Sequence, residues 1–257
     1  MDQFTAWAKR RGVIFPSSEI YGGLSNSYDY GPIGVEMKNR LKQIWWRTTV
    51  HERDDIVGLD SAIILNPKVW EASGHTGEGF TDPMVEDLVT HKRYRADQLD
   101  DPTKSPDGNP ISEPKNFNIL MKTFIGPVED TATTAYLRGE TCQGIFVDFK
   151  QVLESSRQKV PFGIAQIGKS FRNEITPGNF TYRTREFEQM EMQFFVRGEA
   201  EASEWFDSWV EARWQWYVDL GVDKTKLRLF KHPKNKLAHY AKAAVDIEYQ
   251  FPWGWGE

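Results

Sequence analysis

The densest gathering of groups able to do chemistry lies at 168–195, GKSFRNEITPGNFTYRTREFEQMEMQFF. Two runs of strand character flank Pro177, Gly178 and Asn179, residues that punctuate a turn. Residues 150–185 hold seven Lys and Arg against two acids, and residues 186–204 hold six acids against one base, Arg197. A basic arm therefore precedes an acidic one. A local charge of +5 in a chain of net −5 points to an anion site. Arginine suits phosphate because its planar fork donates twice. On the return arm, alternation puts Phe187, Gln189 and Glu191 on one face and Glu188, Met190 and Met192 on the other. A ring, an amide and a carboxylate beside arginines make a poor core and a good nucleotide surface. Phe187 could stack on a base, an arginine could hold phosphate, and Glu191 could hold a cation. A solvated hairpin with charge pairs across its strands fits the same pattern.

The rest of the chain must position that hairpin. Residues 12–31, rich in Gly, Ser and Tyr, read as a structured loop. Pro32 suits the first turn of a helix. Ile33, Met37, Leu41, Ile44 and Trp45 follow at helical spacing, to about Val50. Residues 60–65 read as a short strand, as do 117–124, 144–149 (GIFVDF), 164–171 and 187–196. Residues 200–220 read as a helix stopped by Gly221, with Trp205, Phe206, Trp209, Trp216, Tyr217 and Leu220 as a core stripe. In 246–251, Ile247, Tyr249 and Phe251 face one way. Residues 100–116, with four prolines, read as a loop or flexible insertion on the surface. Strands without regularly intervening helices predict an α+β fold, an antiparallel sheet flanked by helices.

Composition bounds the function. A chain of 257 residues with 39% hydrophobic and 14% aromatic content can bury a sizeable core and is not disordered. No window approaches the ~18 uninterrupted apolar residues of a membrane span. The first eleven residues have no apolar run, so no secretory signal is expected. The lone Cys142 excludes an internal disulfide and a Cys-rich zinc site, and fits a reducing cytoplasm. His232 and His239 stand seven apart without further ligands, and His51 and His91 are isolated, so no metal site is expected. Net acidity argues mildly against a nucleic-acid partner.

FRNE at 171–174, followed by TYRTREFEQME at 181–191, resembles motif 2 of the class II aminoacyl-tRNA synthetases. The form is close to glycyl-tRNA synthetases of the single-chain, homodimeric type. YDYGPIG at 28–34, SGH at 73–75, DPMV at 82–85, RGETCQGIFV at 138–147 and DIEYQFPWGWGE at 246–257 resemble that family in the same order. The resemblance implies ATP-dependent activation of glycine to glycyl-adenylate and transfer to tRNA(Gly), with Mg²⁺ beside ATP. It implies a homodimer, with the helix after Pro32 near the dimer interface, and no membrane association.

The resemblance also assigns residues. Arg172 falls on the catalytic arginine that contacts the ATP α-phosphate, and Glu174 on the acid near the adenine amino group. Asn173, Tyr182, Arg183, Thr184, Arg185 and Glu186 fall within the ATP-contacting stretch, Phe187 on the adenine-stacking aromatic, and Glu257 on the acid opening a further ATP-binding stretch. Glu140 and Glu191 fall on carboxylates facing the amino acid. Arg95, Phe187, Glu188, Gln189 and Met190 complete the expected glycine site. Glycine has no side chain to grip, so selectivity must come from its ammonium and from a wall that excludes a Cβ.

Two departures stand out. RGETCQG replaces the family's usual RPETAQG, which removes no functional group. His75, in a longer turn than usual, is expected to be structural or to line the amino-acid entrance. The chain also stops before the family's third motif, with its late arginine, and before an anticodon-binding domain. Residues 1–257 are therefore expected to be a C-terminally truncated catalytic domain or a degenerate paralogue. A non-catalytic synthetase-like interaction protein and another class II synthetase are the alternatives.

Overall fold

In the computed structural model, which describes residues 2–77, 80–129, 133–174, 178, 180–238 and 240–257, the chain divides into two units, Met1–Phe195 and Val196–Glu257. The first contains α1 (Asp2–Arg10), β1 (Ile14–Pro16), β2 (Tyr28–Tyr30), α2 (Pro32–Trp46), β3 (Ile56–Gly58), α3 (Pro67–Ala72), β4 (Thr81–Glu86), β5 (Arg93–Arg95), β6 (Lys115–Asn118), β7 (Met121–Phe124), β8 (Thr134–Leu137), α4 (Cys142–Ser156), β9 (Phe162–Phe171) and β10 (Glu186–Phe195). The second contains α5 (Glu199–Asp219), β11 (Leu227–Lys231), β12 (Val245–Phe251) and β13 (Gly254–Gly256). The fold is α+β, as predicted.

The hairpin anticipated at 168–195 is the longest pairing. β9 and β10 run antiparallel over ten residues each, from Glu186↔Phe171 to Phe195↔Phe162. β3 adds to β9 in parallel. The helix opened by Pro32 is also observed, with Pro32 in its first turn. The stretch 12–31 is a short hairpin, Ile14↔Tyr30 to Pro16↔Tyr28, rather than a loop.

Three further expectations are corrected. GIFVDF belongs to helix α4, not to a strand. A short apolar run does not distinguish the two states. Over the longer window, Ile145, Phe149 and Val152 recur at helical spacing and pack with Phe162, Ile164, Val57 and Phe195 in one core cluster. Residues 117–124 are two strands in different sheets, since β6 pairs with β4 and β7 with β8. Residues 60–65 form no strand beyond an isolated bridge, Ile64↔Leu137. Side chains take over the ladder's role there: Ser61 N–H donates to Gln166 Oε1 at 3.0 Å, and Arg138 Nη1 donates to the Ser61 carbonyl at 2.8 Å.

The proline-rich stretch 100–116 is a loop until β6 begins at Lys115, and it is tied down. Asp87, fully buried, accepts from Ser105 Oγ (2.6 Å), Asn109 Nδ2 (3.0 Å) and the backbone N–H groups of Val89 and Thr90. Ser105 is itself 5% exposed. These bonds hold the Asp87 carboxyl far below its usual range, against the burial that would raise it.

In the second unit α5 ends before Gly221, whose φ of 86° favours glycine. The tryptophan stripe read as core is half-buried, and α5 has no fully buried residue. β12 pairs with β11 and β13, and its Ile247 and Tyr249 stand opposite Leu229 and Leu227.

Candidate active site

The β9–β10 register fixes which side chains share a face. Phe187, Gln189 and Glu191 stand beside Ser170, Gly168 and Gln166, their cross-strand partners. Gln166 and Ser170 are fully buried. The segment from Arg138 to Gln143 lies against this face. The Arg138 guanidinium approaches so closely that a Cβ on Gly168 would come 2.1 Å from Nη2. Arg138 also donates through Nε to the Lys169 carbonyl at 2.7 Å, so it clamps backbone and is not free for a ligand.

Thr141 ties the segment to the hairpin. Its N–H donates to Gln189 Oε1 at 3.0 Å, and its hydroxyl donates to Glu191 Oε2. Its carbonyl accepts from Gln166 Nε2 at 2.6 Å. Ser170 Oγ donates to the same Gln189 oxygen at 2.9 Å. A backbone N–H can only donate, so this network fixes which end of the Gln189 amide is oxygen.

Two carboxylates flank Thr141, and their surroundings shift them in opposite directions. Burial alone would raise the Glu140 carboxyl. Donors from His75 Nε2 (3.1 Å), Gln143 Nε2 (2.6 Å) and Cys142 Sγ (3.2 Å) outweigh burial and hold it down at about 2. Glu191 goes the other way. Burial raises it, the Glu140 charge adds to the rise, and its bonds from Thr141 and Gln193 only partly offset this. The Cys142 thiol is pushed well up by burial and by the Glu140 and Glu191 charges, so it is no nucleophile.

Arg172 stands beside Glu140. Its Nε donates to the Gly139 carbonyl at 3.0 Å, and Nη2 lies 3.6 Å from Glu140 Oε2. Its guanidinium sits over two rings, Phe187 at 5.3 Å and Phe80 at 5.6 Å. A cation held by a carbonyl and two aromatic faces is preoriented while keeping donors for an anion.

The structure thus brings Arg172, Glu140, Phe187, Gln189 and Glu191 together. Glu188 lies on the opposite face of β10 with Met190, and pairs with Lys38 and Lys42 of α2, both at 2.9 Å. Sequence alternation had separated that face, and the geometry gives Glu188 a role in docking α2. Arg95 pairs with Asp82 (3.0 Å) and Asp97 (2.8 Å) and feels the Glu174 charge. Glu174, nearly buried, faces Arg183 at 3.7 Å. Arg95, Glu174 and Arg183 form a separate cluster at the turn end of the hairpin.

The remaining ATP-stretch residues sit at that same end. Asn173 N–H bonds the Ile119 carbonyl at 2.7 Å, and Thr184 Oγ1 bonds the Glu186 carbonyl at 2.7 Å. Arg185 reaches the Ser25 carbonyl at 2.6 Å, Glu186 pairs with Lys169, and Tyr182 is 39% exposed. Pro177 and Asn179 of the turn lie outside the described residues. Glu257 belongs to the second unit. Burial and the neighbouring Asp246 raise its carboxyl.

Sequence reasoning missed several residues around these groups. His75, expected to be structural or at an entrance, touches Glu140 and bonds Ser73 Oγ through Nδ1 at 2.8 Å. Gln143, Thr141 and Phe80 were not singled out. The signal for Gln143 was present: it stands three residues after Glu140 at the opening of α4, a spacing that brings side chains together. His75 and Phe80 come from other elements, and no local pattern announces them.

Comparison with known proteins agrees with the motifs. The profile of the "tRNA synthetase class II core domain (G, H, P, S and T)" matches residues 126–253. The chain is 54% identical to "Glycine--tRNA ligase" of Thermobifida fusca (strain YX), an alignment covering 100% of this chain and 60% of the relative. It is 54% identical to the protein of that name from Corynebacterium efficiens, covering 100% and 60%. For that of Nocardia farcinica the identity is 52%, covering 100% and 59%. The chain spans about 60% of the length of these curated relatives. With its motif 2 hairpin and its end-to-end similarity to such ligases, the chain belongs to the class II tRNA synthetase family.

Proposed function

We propose that this chain carries the amino-acid activation site of a glycine–tRNA ligase. Glycine would react with ATP to give glycyl-adenylate and pyrophosphate, and the glycyl group would then pass to tRNA(Gly). The observation that carries this reading is the pair Glu140 and Glu191, set on either side of Thr141 with Arg172 adjacent. A small ammonium is the complement of two carboxylates, and a phosphate is the complement of Arg172.

Each residue then has a task. Glu140, ionised by its donors, holds the glycine ammonium. Glu191, its carboxyl raised by burial, is the second anchor, and the arriving positive charge favours its ionised form. Arg172 takes the α-phosphate and stabilises charge on it as the glycine carboxylate attacks in line. Phe187 supports the adenine ring, and Arg183 pairs with Glu174 further along the hairpin. The chemistry needs positioning and charge neutralisation rather than a covalent nucleophile. Arg95, Glu188 and Met190, although in the matching stretches, are read as support for this site.

Mg²⁺ would accompany ATP. Among the described residues no group of three or more His, Cys, Asp or Glu is set to hold a metal, so its ligands would be chiefly the nucleotide phosphates. A homodimer is supported by the outward stripe of α2, where Ile33, Met37 and Leu41 are 52%, 61% and 39% exposed. No helix among the described residues is long and apolar enough to cross a membrane. A cytoplasmic location is supported by the lone cysteine. We read residues 1–257 as catalytic domain, with 100–116 an insertion in it.

The test is glycine-dependent ATP–pyrophosphate exchange by the longest natural chain carrying this sequence, with alanine and serine as competitors. Exchange with glycine at least a hundred-fold above alanine is expected. Exchange driven better by another amino acid would point to a different class II specificity. No exchange with any amino acid would support a non-catalytic role.

A further inference from the structure

The chain's acidity conceals one strongly basic stretch. Residues 224–242, KTKLRLFKHPKNKLAHYAK, contain seven Lys and Arg and no acid. The other 238 residues hold 25 Lys and Arg against 37 Asp and Glu. In the second unit this stretch forms β11 and the 3-10 turns Lys224–Lys226 and Lys234–Lys236 at either end of it. Among the described residues β11 is an edge strand, paired with β12 alone. Lys224, Lys226, Lys231, Lys234 and Lys236 are all exposed. None of the five makes an ion pair with a described residue, whereas Arg228 is held by Glu248 and Lys242 by Glu199.

Lysine on a sheet edge can serve simply to block pairing with another chain. That accounts for Lys231, which lies in the strand. It does not account for four further lysines in the turns beyond both strand ends, where there is no edge to protect. A five-residue strand spans about 17 Å, so the turns set two unpaired basic clusters on that scale. Repeated negative charge along a polymer matches such a row, and exposed Tyr240, at 81%, adds a ring at its end.

We propose that the lysines of 224–236 form a docking surface for the phosphate backbone of an RNA, the tRNA substrate. The choice of tRNA, though not of RNA, rests on the reading given under Proposed function. An acidic protein segment would also meet lysines, but the regularly repeated phosphates of a nucleic acid match two basic clusters set a strand's length apart. RNA is the better complement.

The experiment replaces four lysines together, Lys224→Ala, Lys226→Ala, Lys234→Ala and Lys236→Ala, in the longest natural chain. The probe is a tRNA(Gly) transcript, titrated at several salt concentrations. The expected result is about ten-fold weaker binding near physiological salt, with the slope of log K against log salt reduced by about two to three. Lys→Arg replacements at the same positions should restore both, which separates charge from folding. Unchanged affinity and slope would overturn the proposal. So would loss of binding to polyglutamate with tRNA binding intact, which would indicate an acidic protein partner. Glycine-dependent exchange should stay at the wild-type rate, and a parallel fall would place the lysines in the activation site instead. If the wild-type chain gives no exchange but the RNA titration still responds, the proposed function fails and this surface stands.

Discussion

His75 Nε2 lies 3.1 Å from Glu140 Oε1, and its Nδ1 lies 2.8 Å from Ser73 Oγ. Facing a carboxylate, Nε2 must carry the proton, and in the neutral ring Nδ1 then accepts from Ser73. The ring is fixed between Trp70 (5.4 Å) and Phe80 (4.4 Å), and Asn118 Nδ2 holds its backbone carbonyl at 2.7 Å. His75 is therefore a positioning residue for Glu140, held in one rotamer by packing on both sides.

Replacing His75 with alanine removes one of the donors that hold Glu140 at about 2. A depressed carboxyl contributes stability that is present above its unfolded value, near 4.5, and lost as pH falls through about 2. The variant should be less stable than wild type at pH 7, and the gap should narrow as pH falls towards 3, as seen in thermal melts. Glycine KM should rise about ten-fold while ATP KM stays within about two-fold, since the damage falls on the ammonium side. Equal changes in both constants would indicate a general loosening of the site.

Arg172 combines a fixed charge with a stacked plane. Lysine keeps the charge but cannot lie between Phe80 and Phe187 or donate from a planar fork. Arg172→Lys should therefore behave nearly as badly as Arg172→Ala, with exchange falling on the order of 10² to 10³-fold in kcat. Glycine affinity measured without turnover should change little. Substantial rescue by lysine would mean that only charge is required.

These two residues mark what was legible in the sequence and what was not. Arg172 and Glu191 sit on one continuous hairpin, whose alternation and basic-to-acidic charge swing are local properties. The strand ends agree with the prediction to within a few residues. His75 and Phe80 reach the site from segments more than fifty residues before Glu140, through tertiary packing that no periodicity encodes. The strand reading of GIFVDF failed for a related reason. Phe146 and Val147 point outward, at 53% exposure each, so the apolar run was not a buried stripe. The stripe that was buried, Ile145, Phe149 and Val152, extends past the run's end.

Asp87 gives a test of what holds the 100–116 loop. Its carboxyl is held far below the usual range by Ser105, Asn109 and backbone donors. Its contribution is thus complete at neutral pH and is lost only in strong acid. Asp87→Ala removes the acceptor and leaves four donors without it. Limited proteolysis at pH 7 should then cut within 100–116 at least ten-fold faster than in wild type. Cleavage at the same rate would show that the loop is held by other contacts.

Thr141 controls the second carboxylate. Its hydroxyl donates to Glu191, and its N–H separately holds Gln189. Thr141→Val keeps the shape and the N–H while deleting the hydroxyl. Without that donor, burial and the Glu140 charge act on Glu191 with less opposition, and its already raised carboxyl should rise further. As pH falls, Glu191 would then take up a proton earlier in the variant than in wild type, and glycine binding would have to expel it. Glycine KM should rise more steeply with falling pH in Thr141→Val than in wild type, and the two should converge as pH increases and the ionised form returns. Thr141→Ser, which restores the hydroxyl, should return both KM and its pH profile to wild type. In Glu191→Gln there is no proton to expel, so its weakened glycine binding should be independent of pH over the same range. The proton itself can be measured. Calorimetric titration of glycine in two buffers of different ionisation enthalpy should show proton release that grows as pH falls, more from Thr141→Val than from wild type, and none from Glu191→Gln. Equal proton release from all three would remove Glu191 as the second anchor of the ammonium.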